Sequence, residues 1–128
     1  MEIKLNKELQ NKLNSFCETK NEKLNEFLKI LELNNFSFSK EEINNIEEYY
    51  KKDSSLREYI YIYIGEAVIK ILGGFWTICN LKKDEAYGLP IILGWGRNDY
   101  NPRICPDVWL KRIDTNRLGK PLGDLIFS

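Results

Sequence analysis

The sequence predicts an α+β fold: amino-terminal helices and one central apolar helix packed on a small antiparallel β-sheet. Three observations carry this. Apolar residues recur at helical spacing as far as Leu72, and after Gly74 the pattern changes to short β-branched and aromatic runs. Composition splits near the same place. Residues 1–55 hold nine Lys, no Arg and eleven acids, whereas all three Trp and all eight Gly follow residue 55. The whole chain has 128 residues and a formal net charge of zero, with 43% apolar and 30% charged residues. That length and balance predict a single globular domain over 1–128, in which 1–38 is a helical extension packed on a 39–128 core.

The first helical stripe runs Leu5, Leu9, Leu13, Phe16, Leu24, Phe27, Leu28, Leu31. Lys20 interrupts it, which predicts a break or kink near Thr19–Asn21. Asn34–Phe38 reads as a connection. Ser39 followed by Glu42 is a capping box, and Ile43, Ile46, Tyr49 and Tyr50 give the next helix one apolar face. Asp53-Ser54-Ser55 ends it and caps another.

The helix from about Leu56 to Leu72 is apolar on most sides, with Tyr59, Glu66 and Lys70 forming its narrow polar stripe. Such a helix lies at the centre of a fold, packed on several faces. Gly65 on its apolar arc costs about 1 kcal/mol of helix propensity, which predicts close approach by another element's backbone. Gly73-Gly74 supplies a left-handed cap. Phe75–Asn80 and Ile91–Trp95 read as antiparallel strands joined by a polar loop, with Pro90 at a strand start. Gly96–Arg103 is rich in turn residues. Pro106–Ile113 fits a helix by its Pro-Asp start and Lys-Arg end, yet Val108–Ile113 alternates like a strand, and both readings stand. Leu118–Pro121 makes a turn before a short apolar end.

The chemistry is mostly negative. Histidine is absent, which removes the usual general base, the Ser-His and Cys-His pairs and the commonest metal ligand. Cys17, Cys79 and Cys105 show no metal or redox spacing and read as free thiols of a reducing cytoplasm. No catalytic residue, cofactor or metal site is predicted. No export signal opens the chain, and the longest apolar stretch contains Glu66 and Lys70, so no membrane association is expected. The adjacent acids Glu41-Glu42, Glu47-Glu48 and Asp84-Glu85 read as solvated faces. Gly94-Trp95-Gly96 fails as a phosphate loop, since Asp99 falls where a third glycine belongs. Cys105 lies near Arg103 and a helix start, a setting that lowers a thiol pKa, but ordinary burial is the expectation.

Two constellations remain. Trp95, Arg97, Tyr100 and Arg103 cluster in one loop, with Trp109 and Arg112 behind. These residue types anchor protein interfaces, and they also grip RNA by stacking and phosphate contact. The zero net charge disfavours nucleic acid as a partner. Tyr59, Tyr63 and Glu66 make a second candidate, a Tyr-lined pocket in which a buried carboxyl would serve a small ligand or an enzyme; the competing expectation pairs Glu66 with Lys70 at i+4.

Tyr63-Ile64-Gly65-Glu66 followed by Leu72-Gly73-Gly74-Phe75-Trp76 resembles a Y-x-G-E…L-G-G-x-W signature found in small uncharacterised bacterial domains, where a helix runs into a strand. The resemblance extends to Ile91–Gly94, Pro106, Lys111-Arg112-Ile113 and Leu122–Phe127. It implies no catalytic residues. Some similar bacterial proteins are immunity factors against secreted toxins, which implies a cytoplasmic, non-enzymatic protein that binds another protein, such as a toxin, and leaves homo-oligomerisation open.

Overall fold

A computed structural model describes residues 4–97 and 100–128, with the Arg97 side chain outside that description. Five helices and two strands follow in the order α1 (Lys7–Leu31), α2 (Lys40–Lys52), α3 (Arg57–Leu72), β1 (Phe75–Ile78), β2 (Pro90–Leu93), α4 (Pro106–Asp114) and α5 (Leu122–Ile126). A short 3-10 turn at Ser54–Leu56 leads into α3, and a kinked turn at Trp95–Arg97, with Gly96 at φ 70°, leads out of β2. The architecture is α+β, helices around a small antiparallel sheet, as the periodicity predicts.

Helix α3 is the hub. It touches α1, α2, α4, α5 and β2, and buries Ile60, Ile62, Tyr63, Ile64, Gly65, Ala67 and Val68. Burial on that many faces is what an almost wholly apolar helix requires. Strands β1 and β2 pair from Phe75↔Leu93 to Ile78↔Pro90, and Ile92 exchanges both backbone hydrogen bonds with Ile104, adding a one-residue third rung. Both strands are shorter than the sequence predicts. Gly94, at φ 71°, turns the chain out of β2 after Leu93. Pro90 begins its strand, where its missing N–H costs no ladder bond.

Of the two alternatives around Lys20, a break or a kinked long helix, the structure removes the break: α1 is one continuous helix of 25 residues. Lys20 sits in its apolar stripe because it faces the Glu66 carboxylate of α3, at 3.3 Å. Residues 106–113 are helical. Pro106 opens α4, and Val108, Leu110 and Ile113 are buried along it. The Gly73 cap is a second correction: φ 85° and ψ −169° place it in extended glycine-only space and not in the left-handed helical region. Gly74 also has positive φ, and a Cβ there would stand 2.5 Å from the Leu93 carbonyl oxygen. Both glycines are therefore required where α3 hands over to β1.

The amino terminus of α2 departs from a simple capping box. Ser39 Oγ accepts the Glu42 N–H at 3.1 Å, as predicted. The Glu42 carboxylate instead reaches further back, accepting the Ser37 and Phe38 N–H groups, each at 3.0 Å. It thereby holds Phe38 at φ 53°, a left-handed conformation an aromatic residue seldom adopts. The connection read as Asn34–Phe38 is thus part of the core: Phe36 and Phe38 pack their rings on Tyr63, at 5.0 and 5.1 Å.

Candidate functional site

The loop after β2 is built on fixed points. Trp95 is half-buried against the core, donates its indole N–H to the Pro102 carbonyl at 2.6 Å, and accepts the Asn101 amide on its own carbonyl at 2.9 Å. Arg103 grips Asp84 with two nitrogens, Nη2 to Oδ1 at 2.6 Å and Nε to Oδ2 at 3.2 Å. Between these anchors Tyr100 is 94% exposed. Arg97, the fourth predicted residue, has its side chain outside the described residues. Within this constellation Trp95 and Arg103 act as braces through their bonds to Pro102 and Asp84, and Tyr100 is the exposed aromatic residue. Trp109, on α4, is half-buried against the core.

The second constellation is not brought together into one pocket. Tyr63 is fully buried and donates to Glu42 at 2.8 Å. Tyr59 stacks on Phe27 and donates to Glu26 of α1 at 3.0 Å. Glu66 accepts the Trp76 indole N–H at 2.7 Å and lies 3.3 Å from Lys20. Lys70, its expected partner, is exposed on the surface. An indole donor and a half-buried cation from other elements satisfy Glu66 better than a solvated lysine on its own helix.

Gly65 explains why Trp76 reaches that carboxylate. A Cβ on Gly65 would lie 2.0 Å from Cη2 and Cζ2 of the indole. The close approach is real, but the approaching group is a side chain and not the backbone that the sequence suggested. Gly65 supplies the room, Glu66 supplies the acceptor, and Trp76 fills both. Three positions of the Y-x-G-E…L-G-G-x-W pattern are one packing joint between α3 and β1.

The acid pairs also need correction. One carboxylate of each pair turns inward while its neighbour stays exposed: Glu42 and not Glu41, Glu47 and not Glu48, Asp84 and not Glu85. Glu47, 6% exposed, accepts the Leu122 N–H at 2.6 Å. A fourth node escaped the sequence reading altogether. Arg57 bonds the Tyr50 hydroxyl and Asp107, both at 2.6 Å, and lies 3.4 Å from Asp114, tying α2, α3 and α4 together. No local signal marks it, because its partners lie up to 57 positions away.

Several of these carboxyls titrate below their ordinary range. For Glu42 burial opposes ionisation, but hydrogen bonds from Ser37, Tyr63 and Phe38 outweigh it. Asp84 is held down by Arg103 and the Ala86 N–H. Burial raises Asp107, and Arg57 and Lys111 more than offset that. The unfolded chain therefore binds more protons than the native one as pH falls toward the ordinary values of 4.5 for Glu and 3.8 for Asp. The stability these groups contribute is full above that window and lost as pH falls through their native pKa values. Urea midpoints should be flat near neutrality and decline below about pH 5. Glu42→Gln should flatten part of the decline; an unchanged profile would remove Glu42 from the account.

Cys105 is buried, and desolvation pushes its thiol up, against a reactive role. A cleft of about 450 Å³ opens between α1 and the start of α3, over Phe16, Tyr61 and Ile62. Its charged side chains are already ion-paired, Lys23 with Glu58, and Arg57 with Asp107 and Asp114. Among the described residues no three Cys, Asp or Glu converge to hold a metal, and no helix is long and apolar enough to cross a membrane. No known protein family, characterised protein or solved structure matches the chain.

Proposed function

We propose that this protein is a non-enzymatic binding module of the cytoplasm whose ligand is another protein, in the manner of an immunity or antitoxin factor. The observation that carries the reading is Tyr100, an aromatic side chain 94% exposed between two braced positions, Trp95 and Arg103. Tyrosine combines large contact area with a polar tip and few rotatable bonds, so ordering its side chain on binding costs little entropy. The resemblance to small bacterial domains that include immunity factors supports the same class, and so does the engagement of the polar groups in structural pairs.

Recovery of a stoichiometric partner from native cells tests the reading. Tyr100→Ala should weaken that complex by roughly tenfold or more, as expected for an interface hot spot, with the urea midpoint unchanged. Tyr49→Ala, an exposed tyrosine on α2, should leave it intact. Equal recovery with Tyr100→Ala and wild type would refute the assignment. The immunity reading predicts further that the partner is a toxin encoded beside this gene, and that co-expression restores growth.

A further inference from the structure

The turn between β1 and β2, residues 79–89, carries a second exposed surface. Leu81 is 63% and Tyr87 40% exposed, although both lie in a tightly knitted segment. Asp84 N–H bonds the Leu81 carbonyl and Tyr87 N–H bonds the Asp84 carbonyl, each at 3.0 Å. Cys79 exchanges backbone bonds with Leu89 and Gly88 at the base. Arg103 clamps Asp84 from outside, and the Asp84 carboxylate also caps the Ala86 N–H at 2.8 Å. The turn is thus preorganised, and its apolar side chains do not face solvent for want of structure.

Cations surround it. Lys82 and Lys83 belong to the turn, and both are exposed. The Asn80 amide holds the Lys4 carbonyl at 3.0 Å, and Lys12 Nζ reaches the Gly88 carbonyl at 3.3 Å, which brings the start of α1 and the segment before it alongside. Among the described residues none of these four lysines has a carboxylate partner, which holds also for Lys7, Lys29, Lys52, Lys70 and Lys120, and what sets the four apart is that they gather at one turn. Of the turn's own acids, Asp84 is consumed by Arg103.

We infer that this face docks an acidic polypeptide segment that carries an apolar side chain between its carboxylates. Leu81 and Tyr87 would receive the apolar group, and Lys4, Lys12, Lys82 and Lys83 the acids. Glu85, exposed within the turn and 3.9 Å from the Arg103 guanidinium that Asp84 already occupies, keeps negative charge on this face and selects against a uniformly anionic partner such as a nucleic acid backbone or a lipid surface, which cannot leave a gap in its charge. A peptide can place its acids individually. The inference rests on the reading of the protein as a protein-binding module and adds the chemistry of the partner, at the turn and not at Tyr100.

Amide chemical shifts of the isotopically labelled full chain, followed during titration, provide the test. The probe is a capped pentapeptide with one leucine between two pairs of glutamates. Saturable shifts should cluster in 79–89 and around Lys4 and Lys12, and the affinity should fall severalfold with added salt. Leu81→Ser and the double charge reversal Lys82→Glu/Lys83→Glu should each weaken binding about tenfold, as loss of a buried apolar contact or of an opposite charge requires. Tyr100→Ala should leave it unchanged. All three sites are exposed, and the far-ultraviolet spectrum checks that the variants fold. Absence of shifts in the turn, insensitivity to the charge reversal, or tighter binding of oligothymidylate or phosphatidylserine vesicles would overturn the inference. If the pentapeptide fails while Tyr100→Ala still releases the native partner, only this surface falls and the binding-module reading stands.

Discussion

Replacing Gly65 with alanine is expected to destabilise the protein by about 2 kcal/mol, the net of an overpacking cost and a smaller gain in helix propensity. The new methyl would meet the Trp76 indole at 2.0 Å. The far end of a side chain can often swing aside, but this ring is held. Phe16 packs edge-on at 4.6 Å, Tyr61 stacks at 6.4 Å, and Glu66 accepts the indole N–H at 2.7 Å. Either the ring moves and leaves a carboxylate with one donor fewer, or α3 moves and strains contacts to four other helices. Chemical denaturation should show a lower midpoint at unchanged m-value. In a Trp76→Phe background the shorter ring does not reach the methyl, so the penalty should shrink by about 1 kcal/mol or more, and a double-mutant cycle measures it. A stabilised Gly65→Ala protein would show that the indole yields freely.

The contrast between what the chain discloses and what it conceals follows from range. Ser39 with Glu42, Pro90 at the start of β2 and the all-round apolarity of α3 are local or periodic features, and each is legible because neighbours in sequence decide it. Gly65 is half legible: its cost in a helix reveals that something approaches, but the identity of Trp76 depends on how β1 folds back. Lys20 reads as a break or a kink because a cation in an apolar stripe has no local explanation; its partner, Glu66, lies 46 positions away. The acid pairs show the same limit. Adjacent helical residues differ by about 100°, so one of two can face inward, but only the tertiary arrangement says that Glu42, Glu47 and Asp84 do. Val108–Ile113 satisfied both periods over too short a run for either to win. For the candidate site, the Trp/Tyr/Arg composition located the loop, while the division into braces and presented residue needed Pro102 and Asp84.

The signature residues bear on function through this same geometry. Gly65, Glu66 and Trp76 meet at one joint, and Gly73 and Gly74 shape the chain between them. A pattern of this kind specifies how a helix docks on a strand and says nothing about a ligand. Proteins sharing it would share the joint, while their binding surfaces are free to differ. The surfaces argued for this chain, Tyr100 and the turn at 79–89, both lie outside the pattern.

The second large effect is expected at Glu47, where truncation to alanine should cost about 2–3 kcal/mol through an unsatisfied buried N–H. Helix α5 begins after Pro121, whose side chain offers no acceptor for the first N–H groups. Helix α2 supplies the acceptors instead. Glu47 takes the Leu122 N–H and Asn44 the Gly123 N–H, both at 2.6 Å, and a Cβ on Gly123 would stand 2.5 Å from the Lys40 carbonyl. Lys51, 3.1 Å from the other Glu47 oxygen, balances the charge, but it is 44% exposed and contributes little. Glu47→Ala therefore leaves a donor buried at a helix end that also carries Leu122 and Ile126, both at most 1% exposed. Glu47→Gln keeps the carbonyl oxygen and should cost distinctly less, about 1 kcal/mol. Hydrogen exchange at Leu122 and Gly123 separates the two variants: alanine should accelerate it far more than the global destabilisation accounts for, and glutamine should not. Equal midpoints and equal exchange in the two variants would mean that α5 is held by its apolar side chains alone.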